Sequence, residues 1–88
     1  MKINSIDKLV RSKCIFENLA NSVEELSELI KELTKFQRNN GNRNNLIEEM
    51  ADVIISIECT KMMFDVTETE LQTAINNKMT RNLERIKG

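Results

Sequence analysis

Apolar residues recur at helical spacing along almost the whole chain, and they divide it into four segments. Residues 6–19 place Ile6, Leu9, Val10, Phe16 and Leu19 near one face, with Asn4 or Ser5 available as a cap. This spacing predicts a first helix over 6–19. Ser22 and Glu25 have the S-x-x-E form of a capping box, and Leu26, Leu29, Ile30 and Leu33 follow at i, i+3, i+4 and i+7. A second helix from Ser22 to about Gln37 is expected. The run RNNGNRNN at 38–45 has no apolar residue and centres on a glycine among asparagines, which marks a loop. From Asn45 a third helix gathers Leu46, Met50, Val53, Ile54, Ile57 and Phe64 on one face and should end near Phe64. Thr67 and Glu70 repeat the capping box, after which Leu71, Ile75, Met79 and Ile86 keep helical register to the end. No solenoid repeat, low-complexity tract or linker divides the chain. The expected fold is all-α, one four-helix domain over residues 1–88.

The third helix carries a second message. Ten of the fifteen residues from Met50 to Phe64 are apolar, and Ala51, Ile55, Cys59 and Met62 lie opposite the main stripe. A helix apolar on both sides has to be covered on both sides. A chain of 88 residues builds only a small core, so a second copy is the expected cover and the bundle is expected to be completed by homo-oligomerisation through residues 50–64. The alternative is that the first helix folds back over it.

Composition narrows the functions. Two glycines, no proline, no tryptophan or tyrosine and three phenylalanines suit helices rather than sheets. Thirteen basic and fourteen acidic residues leave a net charge of −1, which gives nucleic acid or an anionic membrane no overall footprint to bind. There is no histidine, and Cys14 and Cys59 lack metal-ligand spacing, so zinc sites and histidine-based catalysis are excluded and both thiols are expected to be reduced. Charges interrupt every apolar pair of the N-terminal MKINSIDKLVRSKC, and no run is long enough to span a bilayer. A cytoplasmic protein is expected.

Within that frame the acids stand out. Glu25 and Glu28 lie about 60 degrees apart on the second helix, at the border of its apolar stripe, and Glu49 and Asp52 repeat the arrangement on the third. If the two stripes pack antiparallel, the four carboxylates converge on one seam. Like charges that close repel one another unless a cation lies between them. Oxygen ligands alone suit a hard ion, Mg2+ with Mn2+ as a substitute, which keeps waters or substrate phosphates in its other positions. Some of these acids also have an ordinary use: Glu25 belongs to a capping box, and Glu48 and Glu49 suit the N-terminal end of a helix dipole. Asp52 has no such use, being a poor helix former beyond the first turn. Lys78, Arg81 and Arg85 form a basic strip on the last helix, either a solvated face or a place for phosphates.

Together, EELSE at 24–28, EEMADVI at 48–54 and NNKMTRNLERI at 76–86 resemble the all-α nucleoside triphosphate pyrophosphohydrolases of the MazG-like family, over roughly residues 20–88. The small size suits the compact members, including those encoded by bacteriophages. The resemblance implies that Glu25, Glu28, Glu49 and Asp52 hold Mg2+, with Glu25 or Glu28 as general base. It also implies that Lys78 and Arg81, with Asn82 beside them, contact phosphates, while Arg85 is structural. The implied reaction hydrolyses a nucleoside triphosphate to the monophosphate and pyrophosphate, in a dimer or tetramer, for control of nucleotide pools. Phosphoribosyl-ATP, dUTP and dCTP are substrates of enzymes with this fold. Phe16, Phe36 and Phe64 are the only aromatics that could stack on a base. The competing expectation is a non-enzymatic helical adaptor, whose apolar third helix mediates assembly and whose acids only keep it in solution.

Overall fold

A computed structural model describes residues 3–87, apart from the side chains of Ile3 and Asn4. Four helices make up its regular structure: α1 (Ile3–Arg11), α2 (Ile15–Gln37), α3 (Arg43–Met63) and α4 (Glu68–Lys87). None of them is long and apolar enough to cross a membrane.

The segment expected to be one helix over 6–19 is broken. At Ser12 the hydroxyl donates to the Leu9 carbonyl at 2.6 Å and the chain turns. Helix α2 then starts at Ile15, with Cys14 as its N-cap residue and the Cys14 amide donating to Glu17 Oε1 at 3.3 Å. Hydrogen bonds from the Cys14 thiol and amide hold the Glu17 carboxyl below its ordinary range. Phe16 and Leu19 therefore belong to α2. Ser22 lies inside that helix and caps nothing, because no glycine or proline between Ile15 and Gln37 interrupts the backbone before it. Asn4 and Ser5 likewise fall within α1 rather than ahead of it.

Asn18 ties this corner together. Its side-chain amide donates to the carbonyls of Val10 at 2.9 Å, Cys14 at 3.2 Å and Lys13 at 3.3 Å, which ties the end of α1 to the start of α2; the Cys14 carbonyl also accepts the Asn18 backbone amide at 3.0 Å. The residue is itself buried.

The remaining ends follow the expected chemistry more closely. Helix α3 begins at Arg43, two residues before the expected Asn45, because Asn42 accepts the Asn45 amide at 3.0 Å and serves as the cap. In the loop between α2 and α3, Asn39 adopts the left-handed conformation at φ 60. Gly41 lies against the Phe36 ring, where a Cβ would collide with it. The α3–α4 corner uses the Thr67–Glu70 box as expected: the Thr67 amide donates to Glu70 at 3.0 Å and the Glu70 amide to the Thr67 hydroxyl at 3.1 Å. Lys61 reinforces it by pairing with Glu58 at 3.0 Å and with Glu68.

Helix α3 packs against both α2 and α1. Helix α4 contains no buried residue and leaves the other three to form the core. That core is small: Ile6, Val53 and Cys59 are its buried apolar residues, accompanied by Asn18 and Glu32.

The rotation of α2 and α3 about their axes differs from the expected one. Leu26, Leu33, Met50 and Ile57, expected to pack between the two helices, are each 46–48% exposed. The residues turned inward include Asn18, Ser22, Glu25, Leu29 and Glu32 on α2, and Glu49, Val53, Ser56 and Cys59 on α3. Both inward rows follow the i, i+3/i+4, i+7 rule of a packed helix face. On α2 that row is mostly polar.

A candidate metal centre and the adjoining cleft

The inward rows bring acids from two helices together. One carboxylate oxygen each from Glu25, Glu49 and Asp52 lies within 4.8 Å of the others. Glu25 and Glu49 are partly buried and Asp52 is exposed. Burial raises the Glu25 carboxyl above its ordinary value, and the charges of Asp52, Glu49 and Glu24 raise it further. Glu49 is raised in the same way, first by burial and then by Asp52, Glu28, Glu32 and Glu48. None of the three is ion-paired among the described residues. The pairing of the 25 end of α2 with Asp52, and of Glu28 and Glu32 with Glu49, is that of antiparallel helices.

Glu28 stands at the margin. Its charge reaches Glu49, but it lies outside the tight group of three and lies 3.8 Å from Lys31. Glu32 is an acid that the E-x-x-E spacing does not single out. It is buried beside this seam and pairs with Lys35 at 2.9 Å. Its position seven residues after Glu25 continues the same helix edge, which is the sequence signal that marks it.

Three hard oxygen donors from two rigid helices, two of them (Glu25 and Glu49) raised in pKa by burial and by neighbouring acids, and none ion-paired among the described residues, suit a divalent ion such as Mg2+ or Mn2+. Such an ion would offset the repulsion among them and keep positions open for water and phosphate oxygens.

A cleft of about 280 Å³ opens beside the carboxylates. Glu25 and Asp52 line one part of it. The α1–α2 corner contributes Leu9, Ser12 and Lys13, α2 contributes Asn18, Asn21 and Ser22, and α3 contributes Ile55, Ser56 and Cys59. Burial, followed by the charge of Glu58, raises the Cys59 thiol, so it is a packing group rather than a nucleophile. None of the three phenylalanines lines the cleft.

The basic strip is not part of this constellation within one chain. Lys78, Arg81 and Asn82 are exposed on α4, and no residue of α4 lines the cleft. The turn at Asp65, left-handed at φ 52, leads into α4, which contains no buried residue. Lys13 at the α1–α2 corner is the cation that does line the cleft. The sequence offers no periodic signal for it, because it becomes a wall of the cleft only when the chain turns between Ser12 and Cys14.

Searches of known protein families, of curated proteins and of solved structures find no match to this chain.

Proposed function

We propose that the chain is a Mg2+-dependent nucleoside triphosphate pyrophosphohydrolase, converting a (deoxy)nucleoside triphosphate and water to the monophosphate and pyrophosphate. The observation that carries this reading is the convergence of Glu25, Glu49 and Asp52 without a cation of their own, beside a cleft of polar groups. The resemblance of EELSE and EEMADVI to the MazG-like motifs gives the reaction class. When bound, Mg2+ supplies charge neutralisation for the phosphates and an acidified water.

The protein's own groups then have separable roles. Glu25, Glu49 and Asp52 hold the ion, with Glu28 a fourth ligand within reach after a side-chain movement. Glu25 or Glu28 takes the proton from the water as its oxygen bonds to the α-phosphorus and the bond from that phosphorus to the bridging oxygen breaks, releasing pyrophosphate. Lys78, Arg81 and Asn82 contact phosphate only if a second copy brings its α4 to the site. Such a copy is also what the exposed apolar residues of α2 and α3 call for, so the working form is a homo-oligomer.

Those same exposed residues favour a second reading, a non-enzymatic helical oligomerisation or adaptor protein. One experiment separates the two. Pyrophosphate release is measured from a panel of canonical and modified nucleoside triphosphates and from phosphoribosyl-ATP, with Mg2+ and with EDTA. Release that requires the metal and is matched by the monophosphate is the expected outcome. No release from any of them by folded protein would leave the adaptor reading.

A further inference from the structure

Asn18 has more to offer the cleft than its part in the corner. It is 8% exposed and is among the residues that line the cleft. The side-chain nitrogen is committed to three backbone carbonyls. The side-chain oxygen receives no donor among the described residues. Rotating the amide by half a turn would set its oxygen against those carbonyls, so the orientation is fixed. The cleft thus contains a hydrogen-bond acceptor that cannot turn into a donor.

We propose that Asn18 Oδ1 is the specificity-determining acceptor of the cleft, taking a hydrogen bond from a donor on the nucleoside end of the substrate; this rests on the nucleotide reading above. Position supports the assignment. Asn18 lies seven residues before Glu25 on α2, a separation of about 10 Å along the helix. A phosphate held at Glu25 and Asp52 does not span that distance. The base and sugar of the same molecule do, and the walls between are hydroxyls and amides suited to a neutral polar group, Ser22 and Asn21 among them. A buried acceptor discriminates strongly, because a ligand without the donor leaves it unsatisfied.

The donor is a base N–H or a sugar hydroxyl, and blocked substrates distinguish them without altering the protein. Steady-state kinetics would compare each accepted nucleotide with analogues in which the base donor is removed: methylation at N3 of the uracil or thymine nucleotide, dimethylation of the exocyclic amine of cytosine or adenine, and methylation at N1 or dimethylation of the 2-amino group of guanine. A second set would lack the 3′- or 2′-hydroxyl. The expected result is one blocked position that raises KM by about tenfold or more while kcat changes by less than about twofold. Full activity with every blocked analogue, alongside Mg2+-dependent release from the parents, would overturn the role of Asn18 and leave the metal centre standing.

If no nucleotide is hydrolysed, the metal reading fails by itself and a second measurement still decides this one. Nucleosides, which need no metal, would be titrated at millimolar concentration into 15N-labelled protein while the Asn18 side-chain amide signals are followed. A shift caused by a nucleoside but not by its blocked counterpart supports the assignment. No shift with any nucleoside overturns it.

Discussion

The α2–α3 pair has two faces, and the polar and apolar residues are divided between them less cleanly than in an ordinary amphipathic pair. The seam between the helices holds Glu25, Glu49 and Asp52 with Asn18 and Glu32 close by, while Val23, Leu26, Ile30 and Leu33 of α2 and Ile47, Met50, Ile54 and Ile57 of α3 remain substantially exposed on the outside. Helices in a monomer normally turn the apolar stripe inward. Each face therefore lacks something that one copy of the chain does not provide. The inner one has converging carboxylates without a cation, and the outer one has apolar stripes without a cover. The comparison teaches that a stripe's place on the helical wheel does not decide its partner. The polar groups that must be satisfied at the α1–α2 corner and along the seam fix the rotation of α2, and the stripe falls where that rotation leaves it.

Substituting one inner carboxylate should have the largest effect. Asp52→Asn is expected to lower pyrophosphate release by more than the ~100-fold that loss of a mere outer-shell partner costs a metal enzyme. Glu28→Gln, outside the tight group, should have the smaller effect; equal losses would show four ligands rather than three. Neither substitution should lower the metal-free melting temperature, because each removes one of several repelling charges. The sign with pH follows from the same groups. Glu25 and Glu49 titrate above their ordinary 4.5 in the folded chain, so the fold binds their protons more tightly than the unfolded chain does. Metal-free stability should then fall as pH rises from about that value through the raised pKa values. Mg2+ should raise the melting temperature more at neutral pH than at pH 5. Thermal unfolding with and without the ion at the two pH values checks both statements, and activity that survives Asp52→Asn would remove the proposed centre.

The outer face is tested by Ile54→Asp. Ile54 is 52% exposed on the outer stripe, whereas Ile55 lines the cleft and would confuse an interface with a site. A charge introduced there should dissociate the oligomer, with light scattering after size exclusion giving the mass of one chain. A wild-type protein that already runs as a monomer would refute the second copy and leave the stripe for a different partner.

Helix content and order were legible in the sequence because apolar spacing reports a helix whichever way it later faces. The close approach of Glu25, Glu49 and Asp52 was legible for a similar reason, since E-x-x-E and E-x-x-D place acids at one helix edge, but the place of Glu28 outside that group was not. Rotation was not legible. Leu26 and Glu25 are adjacent in sequence and about 100 degrees apart on the wheel, and contacts with α1 and α3 decide which of them turns inward. Asn18 shows the other limit, since its three hydrogen bonds go to carbonyls that converge only once the chain has turned at Ser12. The basic strip of Lys78, Arg81 and Asn82 was visible as a pattern, but its separation from the cleft follows from the path of the chain after Asp65, with α4 contributing no buried residue.

The smallest effect compares two identical motifs with opposite fates. Ser22–Glu25 and Thr67–Glu70 share the capping-box spacing, yet Ser22 lies within α2 and Thr67 starts α4 with both reciprocal hydrogen bonds in place. A side chain can cap only where the amides ahead of it have no helical partner, and in α2 the preceding turn from Ile15 removes that need. Thr67→Ala should therefore destabilise α4 by about 1 kcal/mol. The Glu70 carboxyl, held below its ordinary range by hydrogen bonds from the Thr67 amide and then its hydroxyl, should move back toward that range as the hydroxyl is lost. Ser22→Ala exchanges a helix-interior serine for the best helix former, so its effect on unfolding should be slightly favourable, within about 0.5 kcal/mol. Because α4 buries no residue, the Thr67 loss should appear as reduced helical circular dichroism and faster amide exchange in α4, with little change in the melting of α1–α3. A Thr67→Ala chain that melts as one unit with all four helices at a lower temperature would show that α4 is packed in solution, and the partner surface would then have to be a second copy.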